Sequence, residues 1–220
     1  MRIFRSPPFE DRRDAGRRLA RKLSSFRGER CVVFGLPRGG VPVAYEISRY
    51  LGAPLDVFVS RKLGAPDQPE FGIGAVAAGG VRILNADVVR RLGITDEYVE
   101  WITAQEVAEV KRRLRFFRGG RPEPEVGGRT VILVDDGLAT GVTARAAVEA
   151  LRLRKPQRLV LAAPVCAAQT AELFESLVDG LVCLASPSDL GAIGLWYKNF
   201  DQTSDEEVMH LLEEARNEGG

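Results

Sequence analysis

Two adjacent carboxylates, Asp135 and Asp136, come directly after residues 131–134, which have the composition of a buried parallel strand. They lead into a loop of small residues, and a helix is predicted over residues 144–151. A strand–loop–helix junction of this kind binds anions, because free backbone N–H groups and the helix dipole both favour negative charge there. Acids beside an anion site suit a sugar phosphate, since carboxylates accept hydrogen bonds from sugar hydroxyls. The loop consists of Gly137, Leu138, Ala139, Thr140, Gly141, Val142 and Thr143.

This segment resembles the loop that binds phosphoribosyl pyrophosphate (PRPP) in type I phosphoribosyltransferases. In that family a hydrophobic strand, two acids and a short turn lead into Thr-Gly-x-Thr, which is present here at residues 140–143. The missing Gly-Lys-Ser/Thr ending distinguishes the loop from a Walker P-loop. The resemblance implies that Asp135 and Asp136 bind the ribose hydroxyls and, directly or through water, a Mg²⁺ ion. It also implies that residues 139–143 hold the 5′-phosphate.

A second anion loop follows the strand predicted over residues 31–36. It contains Arg38, and the amides of Gly39 and Gly40 stand at the start of the next helix, an arrangement suited to a diphosphate. A turn with a solvated arginine is the alternative interpretation. The corresponding loop of the resembled family holds pyrophosphate, which implies that Arg38, Gly39 and Gly40 bind the leaving group and that Arg38 is catalytic.

Two further cations, Arg61 and Lys62, follow the strand predicted over residues 55–60. Related transferases place basic residues here against pyrophosphate. The resemblance therefore implies that both bind substrate and that Lys62 acts in catalysis with Arg38 and the acid pair; a solvated strand end is the alternative. Residues 63–70, with one glycine and two prolines, are predicted to form a mobile segment. The family has a flexible loop near this point, which protects an oxocarbenium-like intermediate from water.

The elements that must position these loops alternate between strands and helices, which predicts an α/β fold with a doubly wound parallel sheet of five strands. In the order 2-1-3-4-5 the first and third strands lie side by side, and both anion loops open into the crevice at their carboxyl ends. Residues 72–78 and 81–84 predict a hairpin. The strands are predicted at residues 31–36, 55–60, 131–134, 159–163 and 181–184, and helices at residues 11–26, 43–51 and 144–151.

Two segments depart from this compact pattern. A helical insertion over residues 84–121 contains a long helix, predicted at residues 96–117, with a basic run that favours a solvated face; a dimer contact or a lid is the alternative. Residues 185–204 resemble the small hood that holds the nitrogenous base in type I enzymes. Trp196 or Tyr197 is predicted either to stack on that base or to pack the hood against the sheet. The basic run consists of Lys111, Arg112, Arg113, Arg115, Arg118 and Arg121.

Composition limits the classes of function. With 220 residues, 45% of them hydrophobic, and a net charge of +1, the chain is predicted to form one domain over residues 1–220 without a nucleic-acid or membrane partner. A single histidine, His210, leaves too little material for a histidine-based zinc site or a Ser-His system. Three cysteines without Cys-x-x-Cys spacing predict reduced core residues, and an N-terminus without an apolar signal-like run predicts a cytoplasmic protein.

The resemblance covers residues 31–200 and implies a phosphoribosyltransferase that uses PRPP and Mg²⁺, transfers phosphoribose to a nitrogenous base and releases pyrophosphate. A non-catalytic regulatory protein of the same fold, which binds PRPP or a nucleotide, is the alternative. The interpretation as a Rossmann-type oxidoreductase is rejected, because the Gly-x-Gly-x-x-Gly motif does not follow the first predicted strand. The sequence does not identify the base, and it leaves a homodimer open.

Overall fold

The computed structural model describes residues 8–218. Both ends of the predicted 1–220 domain, including the first residues of the N-terminus on which the cytoplasmic prediction depends, lie outside the described residues. The strands are β1 (Cys31–Gly35), β2 (Leu55–Val57), β3 (Ser60–Ala65), β4 (Gln68–Ala77), β5 (Val81–Leu84), β6 (Thr130–Val134), β7 (Arg158–Val165) and β8 (Gly180–Ala185). The α-helices are α1 (Arg12–Lys22), α2 (Gly40–Leu51), α3 (Ala86–Arg91), α4 (Asp96–Arg118), α5 (Val142–Arg152), α6 (Ala168–Glu175) and α7 (Asp205–Glu218).

Five strands form a parallel sheet in the order β2-β1-β6-β7-β8, which confirms the predicted order 2-1-3-4-5. β1 pairs with β6 along its whole length, from Cys31 opposite Thr130 to Gly35 opposite Val134. One residue later the N–H of Leu36 still donates to the carbonyl of Val134 at 2.8 Å. The two predicted anion loops therefore leave the sheet side by side.

Helices cover both faces of the sheet. Successive side chains of a strand point to opposite faces, and in these strands apolar side chains lie on both faces. In β1, Val33 packs in one cluster with residues of α1, α2 and α7, whereas Val32 and Phe34 pack in another with residues of α5. All three side chains are fully buried, and each contributes about 1.5–3 kcal/mol relative to an exposed position. Within residues 8–218, no helix has both the length and the apolar character needed to cross a bilayer.

A second sheet, β3-β4-β5, is antiparallel and changes two of the predictions. The second parallel strand ends at Val57 instead of residue 60, and Ser60 already begins β3. Residues 63–70, predicted to form a mobile segment, instead complete β3 and begin β4 around a tight turn in which Asp67 has φ +59°. The segment has regular structure because pairing between β3 and β4 satisfies the main chain despite the prolines. The hairpin predicted over residues 72–84 is confirmed by the pairing of β4 with β5.

The long helix of the insertion is confirmed as α4. It begins after Thr95, whose Oγ1 accepts a hydrogen bond from the N–H of Tyr98 at 3.3 Å, and it ends at Gly119 in a left-handed conformation. The second sheet lies between α4 and α5: Val76 packs in the cluster that contains residues of α4, and Ala77 packs in the cluster that contains residues of α5.

The prediction of a solvated basic face is wrong for Arg118, near the end of α4. Its Nε lies 2.8 Å from Oδ2 of Asp56 in β2, and the two side chains are only 11% and 4% exposed. Arg118 also donates through Nη2 to the carbonyl of Val57 at 3.2 Å. Burial raises the pKa of Asp56, and the guanidinium opposes that shift. Arg118 therefore anchors the insertion to the main sheet.

Candidate active site

The acid pair lies where β6 ends. The N–H of Asp135 donates to the carbonyl of Ala162 in β7 at 3.1 Å, and Oδ1 of Asp135 accepts from the N–H of Asp136 at 2.9 Å. Burial, and after it the charge of Asp136, raise the pKa of Asp135 well above the ordinary aspartate value. Two neighbouring acids in a poorly hydrated site require a positive charge close to them.

Arg12, at the start of α1, supplies that charge. Its Nε lies 2.8 Å from Oδ2 of Asp136, and the two side chains are only 12% and 14% exposed. The hydroxyl of Tyr197 donates to the carbonyl oxygen of Asp136 at 2.6 Å, so the hood also holds the main chain of the acid pair. Sequence reasoning missed both contacts. The helix pattern gives no signal that separates Arg12 from the other arginines of α1.

The first half of the loop after the acid pair is anchored to β7 and α6. The N–H of Leu138 donates to the last carbonyl of β7 at 2.9 Å, and the Leu138 side chain is buried. The hydroxyl of Thr170 donates to the carbonyl of Ala139. A Cβ atom at Gly137 would lie 2.6 Å from Ile193, so the hood packs directly on the loop at this glycine. These contacts fix the path of the loop before any ligand binds.

The second half of the loop begins α5. Gly141 precedes the helix with φ +68°, and a Cβ atom there would lie 2.6 Å from Phe174. Thr140 and Thr143 are exposed on either side of this glycine. The first amides of α5 have no acceptors within the helix, so they are available to an anion at this point. The geometry suits a phosphate held by backbone amides and threonine hydroxyls.

The diphosphate loop (residues 37–40) lies directly against the acid pair. A Cβ atom at Gly39 would lie 1.9 Å from Oδ2 of Asp136, and one at Gly40 would lie 2.6 Å from the last carbonyl of β6. Glycine at these two positions therefore allows the loops to touch. The peptide bond before Arg38 is cis. The Arg38 side chain is 32% exposed, with Nη1 3.7 Å from Oδ1 of Asp205 at the start of α7.

The two adjacent cations on β3 point to opposite faces of the second sheet. Arg61 forms an ion pair with Glu106 of α4, with 2.7 Å between Nε and Oε2. On the other face, the hydroxyl of Ser60 donates to the carbonyl of Thr143 at 3.0 Å. Lys62 lies two residues after Ser60 and therefore shares its face. The structure brings Lys62, and not Arg61, to the side of the predicted phosphate-binding loop (residues 139–143).

A cavity of about 310 Å³ separates this face of the second sheet from the start of α5. Gly72 lines it from β4, and Thr140, Val142 and Arg145 line it from the loop and α5. A Cβ atom at Gly72 would lie 3.2 Å from Cδ of Lys62, so the lysine stem packs across this glycine. Lys62 thus lies next to Gly72, one of the residues that line this cavity.

The hood aromatics are enclosed. Trp196 is 5% exposed, and its Nε1 donates to the carbonyl of Leu190 at 3.1 Å. Tyr197 is 3% exposed, and its ring centroid lies 5.3 Å from that of Phe9 and 4.9 Å from that of Phe200. Neither ring presents an open face to a base, so the stacking expectation is corrected in favour of the packing alternative. The physical reason is that Phe9 lies against Tyr197 and that both rings pack in one apolar cluster with Val165 and Leu190.

The acid pair fits Mg²⁺ only as a partial site. Among residues 8–218, no three His, Cys, Asp or Glu side chains form a group that would hold a metal ion. Asp135 and Asp136 supply two carboxylates, and one oxygen of Asp136 already faces Arg12. Mg²⁺ commonly keeps several water molecules and is shared between one or two carboxylates and substrate phosphates. The residues present match that mode of binding.

Comparison with known proteins agrees with this geometry. The family model described as "Phosphoribosyl transferase domain" matches residues 9–189. Two curated proteins of Mycobacterium tuberculosis, provisionally named as phosphoribosyl transferases MT0597 and Rv0571c, are each 46% identical over 207 residues. The match includes 94% of this chain and 47% of each relative, so the chain spans about half of their length.

A solved structure shares the whole fold. The crystal structure of TT1426 from Thermus thermophilus has a TM-score of 0.80 and 40% sequence identity, covering 94% of this chain and 98% of that protein. The family model alone spans most of the described residues and contains both anion loops and the acid pair. This chain belongs to the phosphoribosyl transferase family.

Proposed function

We propose that this chain transfers phosphoribose from PRPP to a nitrogenous base and releases pyrophosphate. The proposal is carried by the contact between the diphosphate loop and the acid pair, where Gly39 leaves no room for a Cβ beside Asp136. PRPP carries its pyrophosphate on C1 of the ribose and its two hydroxyls on C2 and C3, the next two carbons of the ring. A ligand that fills both loops must therefore present a diphosphate and hydroxyls on neighbouring atoms. The start of α5 then accepts the 5′-phosphate.

In this reaction the bond between C1 and a pyrophosphate oxygen breaks, and a bond between C1 and a ring nitrogen forms. The pyrophosphate leaves with the bonding electrons, so negative charge grows on it. Arg38 and Lys62, with the amides of Gly39 and Gly40, stabilise that charge. The acid pair holds the ribose through its hydroxyls. Catalysis in this scheme rests on positioning and on electrostatic stabilisation of the leaving group.

Magnesium bound to the diphosphate would add positive charge at the leaving group, and Asp135 and Asp136 are the residues that would hold it. Arg61 faces Glu106 of α4, on the side of the second sheet opposite to Ser60 and Thr143, so the proposal gives the leaving-group role to Arg38 and Lys62. The base remains unspecified. The proposal includes a cytoplasmic location and small-molecule substrates, without a nucleic-acid or membrane partner, and it is compatible with a homodimer.

The test is the double variant Asp135→Asn with Asp136→Asn, titrated with PRPP in a calorimeter. Charge-assisted hydrogen bonds are worth about 1.5–3 kcal/mol each, so we expect PRPP affinity to fall by at least about tenfold. The matched control removes two exposed acids of α6, Glu172→Gln with Glu175→Gln, and should bind PRPP normally. Undiminished affinity in the first variant refutes the assignment. PRPP binding in the wild type without pyrophosphate release for any base favours the regulatory alternative.

A further inference from the structure

One side chain joins four parts of the molecule at the acid pair. The guanidinium of Arg12 contacts Oδ2 of Asp136 at 2.8 Å, donates through Nη1 to the carbonyl of Asp201 at 2.7 Å, and lies 3.9 Å from the ring centroid of Phe200. A Cβ atom at Gly39 would lie 3.1 Å from its Nε, so the diphosphate loop closes over the same bridge. Arg12 thus connects α1, the acid pair, the hood and the diphosphate loop.

We propose that Arg12 is a positioning residue that orients Asp136 toward one ribose hydroxyl of the substrate. This inference rests on the proposed function. Because Nε–H holds Oδ2, the lone pairs of Oδ1 remain for a hydroxyl of the ligand. The hydroxyl of Tyr197 fixes the Asp136 main chain from the other side, at 2.6 Å from its carbonyl oxygen. The carboxylate is therefore held at both its side chain and its backbone before the sugar arrives.

The arrangement requires arginine and not merely a positive charge. A guanidinium donates in its plane through Nε and Nη1 while its face stacks on an aromatic ring, and Arg12 makes all three contacts together. A lysine at this position supplies one compact ammonium group, which neutralises Asp136 without fixing its orientation. The variant Arg12→Lys should therefore retain part of the influence of Arg12 on Asp136, and Arg12→Gln should retain none.

The neighbouring arginines of α1 provide a matched control. Arg17 lies on the same helix, but its side chain is 51% exposed, and its Nη1 lies 3.6 Å from Oε1 of Glu46, away from the acid pair. Arg17→Gln removes the same charge from the same helix as Arg12→Gln. It leaves the contacts of Asp136 intact.

The experiment compares the affinities of ribose 5-phosphate and of its 2-deoxy and 3-deoxy analogues by calorimetry. Wild type should bind ribose 5-phosphate about tenfold or more tightly than the analogue that lacks the hydroxyl bound by Asp136. In Arg12→Gln this ratio should fall below about threefold, and Arg12→Lys should lie between the two. Arg17→Gln should keep the wild-type ratio. A purely structural role would weaken all three ligands equally and leave the ratio unchanged.

The possible failures are distinguishable. If wild type discriminates against neither analogue, the acid pair does not bind the ribose, and the proposed function falls together with the role of Arg12. If wild type discriminates and Arg12→Gln discriminates equally well, only the role of Arg12 is refuted. Binding of pyrophosphate by Arg12→Gln shows that the variant is folded. If that variant does not fold, Arg12→Lys decides: an unchanged ratio overturns the inference, and a reduced ratio supports it.

Discussion

Replacing Gly39 with alanine tests the contact on which the proposed function depends. The backbone at Gly39 has φ −61° and ψ −31°, a right-handed conformation that alanine adopts without strain. The added Cβ would lie 1.9 Å from Oδ2 of Asp136 and 2.6 Å from its Cγ, whereas real Cβ atoms essentially never come closer than 3.0 Å. The carboxylate must therefore move by about 1 Å.

That movement affects both binding and stability. We expect it to stretch the 2.8 Å ion pair between Asp136 and Arg12 and, under the proposed function, to turn the carboxylate away from the ribose hydroxyl. The loss of one charge-assisted hydrogen bond, about 1.5–3 kcal/mol, should lower PRPP affinity by about ten- to hundredfold. Overpacking should also lower the free energy of unfolding by about 1–3 kcal/mol.

The assay combines calorimetric titration of PRPP with thermal unfolding of the same sample. Gly127→Ala is the matched control, because a Cβ atom there meets nothing within 4 Å and its φ is ordinary. We expect it to bind PRPP normally and to be slightly more stable, since alanine restricts the unfolded chain. If folded Gly39→Ala binds PRPP as tightly as Gly127→Ala does, the acid pair and the diphosphate loop do not form one site.

Three further predictions follow from individual charges. Arg38→Ala should weaken pyrophosphate and PRPP but spare ribose 5-phosphate, which has no diphosphate; equal losses for all three ligands contradict this. The pKa of Asp135 is raised in the folded protein, so ionisation of this carboxyl destabilises the fold. Asp135→Asn should therefore raise Tm at pH 7. This gain in Tm should disappear as the pH falls toward the ordinary aspartate pKa of about 3.9. A gain independent of pH disproves that reasoning. Arg118→Met leaves Asp56 unpaired, so it should lower the free energy of unfolding, measured in urea, by about 3–5 kcal/mol. The control Arg115→Met, at an exposed position of the same helix, should change that free energy little. Equal effects of the two variants contradict the anchoring role of Arg118.

The main sheet was predictable because each central strand is a short apolar run that ends in turn or polar residues. β1 and β6 are buried at every position, as strands covered on both faces must be. The second sheet was not predictable in the same way. Residues 63–70 contain a glycine and two prolines, which locally favour a loop. Their strand structure comes from pairing between β3 and β4, and local composition does not encode that pairing.

The error at this boundary also changed the site. Arg61 and Lys62 are adjacent in sequence, and a strand that ended at residue 60 would have presented both at its rim. Since Ser60 instead begins β3, the two side chains alternate, and Arg61 faces Glu106 while Lys62 shares the face of Ser60. A three-residue shift in the end of a strand is thus enough to separate two cations that composition alone groups together.

The motif identified the two acids but not the cation whose charge stabilises them in the fold. Asp135 and Asp136 are recognisable because the motif of the family imposes residue types at fixed spacing along one stretch of chain. Their compensating charge is free of that constraint: Arg12 lies 124 residues before Asp136 and needs only to reach it in space. Burial raises the pKa of Asp135, so an uncompensated second carboxylate beside it would oppose folding. The contact that stabilises the acid pair also holds the carboxylate of Asp136, so the stability of the fold and the proposed recognition of the ribose depend on the same side chain, Arg12.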